Sequence, residues 1–338
     1  MLGMFRDSAE DLAGDLASLL LQIFRGPGRV IRPGLPPLKA NNNGGDFGDA
    51  VFLAHSVNEF GASFMGQEPK PRLPHFLRAQ LQRQGNVRVF NPRGQALKDV
   101  EDVQQLVGAM LECIDPKAAK QDAMLLRTNA KQALGEFRAS YRAFAATNPA
   151  PKGLSGFVAA WGARKSQTGK DWPKEWPVLE LCFKLLCWFP RLREDPEGQI
   201  HLEAVARAIG QSASFSPYKA KILHGQDSHD RRSVEAAIRD IFGPLGEGLI
   251  DVDENIMPHV PRDRLGLMTI HQAKGLEYPL VLRPRRSDLA DSEHRSGLLL
   301  GEPPSDLPPP AVGVLVPQRR STAQFGERAD PKPSKAFT

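Results

Sequence analysis

Apolar and polar positions alternate with different periods along the chain, and the period marks out its elements. From about residue 7 to 25, "DSAEDLAGDLASLLLQIF" sets apolar side chains at helical spacing, with acidic residues in the first turns where the helix dipole favours them. A Gly-, Pro- and Asn-rich stretch up to Asp49 reads as loop. "AVFLAHSV" is then an apolar run of strand length, "PHFLRAQLQRQG" a short helix closed by Gly85, and "NVRVF" a second strand. With "KDVEDVQQLVGAMLECI" helical behind it, this strand–helix–strand order is the grammar of an α/β layer with parallel strands.

Helical periods dominate from about 117 to 254: "AKQALGEFRASYRAF", "EWPVLELCFKLLCWF", "HLEAVARAIGQSA" and "SVEAAIRDIFGPL". Ser233 is suited to cap the last of these, Glu235 lies in its first turn, and Gly243-Pro244 should stop it. Strand pattern returns in "RLGLMTI" and "YPLVL", so the helical block reads as an insertion into one α/β domain. After Leu282 the chain turns to Pro, Arg, Ser and Gly with little periodicity, and residues 283–338 are expected to be a largely disordered or divergent tail.

Composition changes this picture little. At 338 residues, 41% of them hydrophobic and 25% charged, there is room for two packed domains. A net charge of +5 leans toward a polyanionic partner. Three cysteines, with no CxxC pair, suit a reduced, cytoplasmic setting, and Cys182 and Cys187 inside an apolar run read as core thiols. The N-terminus is acidic where a signal peptide would be basic, and "VLELCFKLLCWF" is far short of the roughly 20 residues needed to span a bilayer, so no membrane partner is expected.

The strongest chemical signal is "MTIHQAKGLEYP", residues 268–279, which breaks a good strand with polar groups. Thr269 and His271 bring a hydroxyl and an imidazole to the sheet edge, where both can hydrogen-bond phosphate oxygens. Lys274 adds positive charge, Gly275 lets backbone approach a ligand closely, and Glu277 offers a carboxylate to a hydroxyl such as a ribose. At the carboxyl ends of strands in an α/β sheet, such groups face the ligand crevice.

The wider string "LGLMTIHQAKGLEYPLVL" closely resembles the late motif of UvrD/Rep-type superfamily 1 DNA helicases, which reads roughly "LMTxHxAKGLEFxxV". "AVFLAHSV" with its helix and "NVRVFNPRG" is similar to the opening of that family's second RecA-like domain, and "ALKDVEDVQQLVGAML" to the helix behind it. The resemblance implies a partial RecA-like parallel-sheet domain made of 1–112 and 255–282, with 113–254 as an inserted helical subdomain. It further implies that Thr269 and His271 contact single-stranded DNA, that Gly275 and Glu277 contact ATP, and that Lys274 has a structural or phosphate-facing role. The implied partners are single-stranded DNA or DNA junctions, and the implied cofactors are ATP and Mg²⁺.

The departures are as specific. Where the family places an arginine that reaches the γ-phosphate, this chain has His55, shorter and mostly neutral at pH 7. Arg127, in "RTNA", has the wording of that motif but runs into a helix with no strand after it. The sequence contains no GxxxxGK(S/T) phosphate loop; "GARKSQTGKD" has the wrong spacing and Asp171 where Ser or Thr would hold Mg²⁺. The family's acidic Mg²⁺-binding motif and its late arginine motif are also missing. These 338 residues are therefore expected to need the first RecA-like domain for ATP hydrolysis, so that catalysis by this chain alone is in question. Alternatively, the chain is a relict that acts at most as a weak DNA-binding or protein-interaction module.

Overall fold

The computed structural model describes residues 2–30, 33–34, 36–40, 44–61, 68–147, 151–165, 172–253, 260–284 and 311–315. In chain order the elements are β1 (Leu2–Phe5), α1 (Ala9–Phe24), β2 (Ala50–Ala54), α2 (Leu73–Gly85), β3 (Arg88–Phe90) and α3 (Glu101–Ile114). Next come α4 (Ala119–Ala123), α5 (Thr128–Ala145), α6 (Leu154–Gly162), β4 (Glu175–Pro177), α7 (Val178–Leu185), α8 (Pro190–Glu194) and α9 (Pro196–Phe215). They are followed by β5 (Lys221–Leu223), α10 (Asp227–Ala237), α11 (Gly243–Gly246), β6 (Arg264–Thr269), β7 (Leu280–Pro284) and β8 (Ala311–Leu315).

The main sheet runs β1-β8-β7-β2-β6-β3. Its strands β7, β2, β6 and β3 are parallel, while β8 is antiparallel to both β7 and β1. The chain is thus a mixed α/β structure built on a four-stranded parallel sheet. Successive strand residues point to opposite faces, and here both faces are apolar. Phe52, Leu265, Leu267, Leu280 and Leu282 join α1 and α2 in one buried cluster. On the opposite face Phe90 packs with Ile200, Val252 and Val260. Gly266 leaves room for Val260, whose Cγ2 would lie 2.8 Å from an added Cβ.

The helices from α3 onward share a second core, centred on Phe137, Trp161, Leu181, Phe189 and Phe242. Its closest approach is between α3 and α5, where a Cβ on Gly108 would sit 2.0 Å from the Phe137 carbonyl oxygen.

The two cores meet across an ionic seam. Arg264, at the start of β6 and 5% exposed, donates to both carboxylate oxygens of Asp195, at 3.1 and 2.8 Å. Asp195 is also the N-cap of α9 and accepts the Glu197 N–H at 2.9 Å. Beside it, Arg78 of α2 bridges Glu59 at 2.7 Å and Glu197 at 2.8 Å. The His201 Nε2 lies 2.9 Å from the Pro92 carbonyl oxygen. Burial raises the Asp195 carboxyl, but the Arg264 hydrogen bonds and charge, with the backbone N–H groups, outweigh it and hold it below its ordinary range.

Five local expectations are corrected. Helix α2 is closed by Asn86 in the left-handed region at φ 49°, with Gly85 still helical. Gly85 instead packs against α1, where a Cβ would meet the Leu21 Cδ2 at 2.3 Å and displace that side chain. Ser233 lies inside α10, accepting the Leu223 N–H and donating to the Asp230 carbonyl. Gly243-Pro244 opens α11 after a π-helical turn at Ile238–Phe242, since proline is tolerated in a first turn. Cys113 and Cys182 are buried, but Cys187 is exposed, its Sγ 3.3 Å from the Lys184 carbonyl oxygen. Finally, Ala311–Leu315 in the expected disordered tail forms β8; residues 285–310 and 316–338 lie outside the described residues.

Gly108→Ala should cost about 3 kcal/mol in urea unfolding, since the clash is with backbone. Gly135→Ala, on the same helix pair but in open space, should add up to about 1 kcal/mol. Because the folded-state pKa of Asp195 is depressed, its contribution is present above the unfolded value of about 4 and lost as pH falls through the folded one. Unfolding titrations between pH 2 and 6 should show this loss, and Asp195→Asn should flatten it.

Candidate nucleic-acid and nucleotide interface

The candidate site is built on the carboxyl ends of β2 and β6. Ala54 pairs with Thr269 in parallel register, and the Ala54 carbonyl accepts the Ile270 N–H at 3.1 Å. His55 and the 270–275 turn therefore leave the sheet side by side. His55 is exposed, next to the turn that carries the other candidate residues.

The connection from β6 to β7 is unusual in form. Both strands flank β2 and run parallel to it, so 270–279 must return from the carboxyl end of the sheet to its amino end. Parallel crossovers of this kind usually carry a helix. Here a tight turn at 270–275 is followed by an irregular run, and at about 3.3 Å per extended residue the segment can still span the strand length. Tyr278 anchors the return, its hydroxyl 3.5 Å from the Met268 Sδ on the face of the sheet away from α1 and α2. Burial pushes the Tyr278 phenol up.

Inside the turn, Thr269 and Gln272 are locked together. The Thr269 N–H donates to the Gln272 Oε1 at 2.8 Å, and the Gln272 N–H donates to the Thr269 Oγ1 at 3.2 Å. The Ala273 N–H closes on the Thr269 carbonyl at 3.2 Å, and the Lys274 N–H on that of His271 at 3.3 Å. Thr269 is consequently 8% exposed, while His271, Lys274, Gly275 and Glu277 are all exposed. Gly275 has φ +88°, a conformation that disfavours any side chain, and nothing lies within 4 Å of where a Cβ would be. The glycine is demanded by the turn, and it leaves its backbone open.

Thr269, His271, Lys274, Gly275 and His55 thus lie where β2 and β6 end, whereas Glu277 is on the run that returns toward the start of β7. Arg127 is not among them: it precedes α5 in the helical block, with its guanidinium 3.0 Å from Glu247. Sequence reading gave Gln272 and Tyr278 no role, although both stand in the same twelve-residue string. Only the hydrogen bonds reveal that one closes the turn and the other pins the return.

A cleft of about 810 Å³ lies elsewhere, along the ionic seam, lined by His75, Arg78, Arg88, Asp195, Glu197 and Arg264. Most of those charges are committed to one another, so its chemistry is that of a junction. Among the described residues no group of three or more His, Cys, Asp or Glu is placed to hold a metal ion.

No protein-family model, no curated protein and no solved structure matches this chain.

Gly275→Ala should destabilise the turn by about 1–2 kcal/mol by forcing a side chain into the left-handed region. Amide exchange at Ala273, Lys274 and Leu276 should then accelerate, with exchange in α5 unchanged.

Proposed function

We propose that the chain supplies the second RecA-like portion of a UvrD/Rep-type ATP-dependent DNA helicase, with 268–279 as the segment joining DNA contact to nucleotide contact. The carrying observation is the position of that segment. It follows the carboxyl end of a parallel strand, with Thr269 and His271 in its first part and Gly275 and Glu277 in its second. Carboxyl ends of parallel strands are where α/β sheets bind ligands.

In this reading the Thr269 hydroxyl and His271 imidazole hydrogen-bond phosphodiester oxygens, and Lys274 contributes charge. Glu277 accepts from a ribose hydroxyl while the open backbone at Gly275 lies close to the nucleotide. These residues fit one side of an ATP molecule. The γ-phosphate arginine, the phosphate loop and the Mg²⁺ carboxylates would come from elsewhere, since the sequence has His55 at the first and lacks the others. That supports a second reading for the 338 residues taken alone, a module that binds single strands and hydrolyses nothing.

Fluorescence anisotropy with labelled single-stranded oligonucleotides tests the first part. Salt-dependent binding should weaken about tenfold in His271→Ala, by a similar factor for unrelated base sequences, because phosphate contacts carry no sequence information. An unaltered affinity in that variant would sink the DNA assignment. DNA-stimulated ATP hydrolysis by the purified chain should stay at background. Robust turnover abolished by Glu277→Ala would show instead that these residues form a complete ATP site.

A further inference from the structure

Among the described residues β1 pairs with β8 alone, and β8 joins it to β7. Val312 lies opposite Met4 on one side and Pro284 on the other, and Gly313 lies opposite Gly3 and Arg283. Strands β7, β2, β6 and β3 form a continuous parallel layer without either of them. Strand β8 is therefore an addition to that layer, running against the direction of β7, and β1 is an addition to the addition.

Three features make the hold of β8 on β7 weak. Pro284, opposite Val312, brings no N–H to that end of the ladder. Gly313, in the middle of the strand, has no side chain to pack and loses the most chain freedom on ordering. The third is the connection. Pro284 and Val312 face each other, so a hairpin loop of about two to five residues could join the strands. The chain instead places 26 residues, 285–310, between them. Closing a connector of that length is on the order of tenfold less favourable than closing a hairpin loop. What keeps β8 in place is thus the row of backbone donors and acceptors along β7, and such a row pairs with any extended segment that matches it.

We infer that the outer edge of β7 is a strand-acceptor surface, that 311–315 is its resident but exchangeable strand, and that β1 docks and leaves with that strand. The segment it fits is extended, antiparallel to β7 and free of charge, as "AVGVL" is. Helix α1 does not leave with β1, because Leu12, Leu16 and Leu20 belong to the core shared with α2 and the sheet.

Amide exchange on the full chain, followed by peptide binding, tests this. In Gly313→Pro/Val314→Pro, which removes two adjacent N–H groups from β8, exchange should accelerate at least tenfold at both Leu2–Phe5 and Ala311–Leu315. Exchange in β2, β6 and α1 should stay as in wild type. Met4→Pro should release β1 only and leave β8 protected. A fluorescein-labelled peptide of residues 306–320 should then bind the double-proline chain and restore protection at Leu2–Phe5. It should bind wild type at least tenfold more weakly, because there the edge is filled. The inference falls if Leu2–Phe5 exchanges alike in wild type and the double-proline chain, or if β2 and β6 lose protection along with β8. It falls equally if the peptide does not bind the double-proline chain, or binds both chains alike.

Discussion

The bidentate pairing of Arg264 with Asp195 is the constraint on which the rest of the arrangement depends. A guanidinium this deeply buried cannot lose its charge, and leaving it unpaired would cost about 3–5 kcal/mol. Its partner is the residue that caps α9, so one carboxylate satisfies both a helix terminus and a strand side chain. Strand β6 is thereby held against the helical block at its amino end. At its other end, at the close of six buried residues, it delivers Thr269 to the turn. The position of the candidate site along the sheet is thus tied to a contact at the opposite end of the same strand.

The neighbouring charges make the seam more than a single pair. Arg78 reaches from α2 to Glu59 and Glu197, and Arg88 from β3 to Asp195 at 3.6 Å. Three elements of the sheet side, α2, β3 and β6, therefore converge on two carboxylates, Glu197 of α9 and its cap Asp195. Ion pairs are directional where apolar packing is tolerant, so the seam fixes how the two cores sit while the cores supply the burial.

Much of the sheet was legible as apolar runs. Residues 50–54, 88–90, 264–269 and 280–282 read as strands because their runs are mostly buried, which suppresses polar alternation, whereas Arg283 and Pro284, expected in the tail, extend β7. Helices α1, α3, α5 and α9 were legible from period. The antiparallel strands β1 and β8 were not: "LGMF" and "AVGVL" are short, the second follows a proline run, and they gain their identity only by pairing with each other and, for β8, with β7. Ser233 and Gly85 were misread for a related reason. Each has the local chemistry of a helix terminus, yet each is used across elements, by Leu223 and by Leu21 respectively. At the candidate site the string of polar residues was legible, whereas the division of labour inside it was not. Gln272 looks like a spacer until its hydrogen bonds are seen.

The parallel pairing of β2 with β6 has a kinetic meaning. Val51 and Gly266 are neighbours in the sheet, but the whole helical block lies between them along the chain. Zipping that pair from an open coil would close a very long loop before any contact rewarded it. The block has a separate core of local helix pairs, so its early assembly would shorten the effective loop to the distance between its two ends. On that view the insertion serves β6 as a folding chaperone in cis. A change far inside the helical core, such as one at the α3–α5 crossing, would then slow formation of a turn that it never touches.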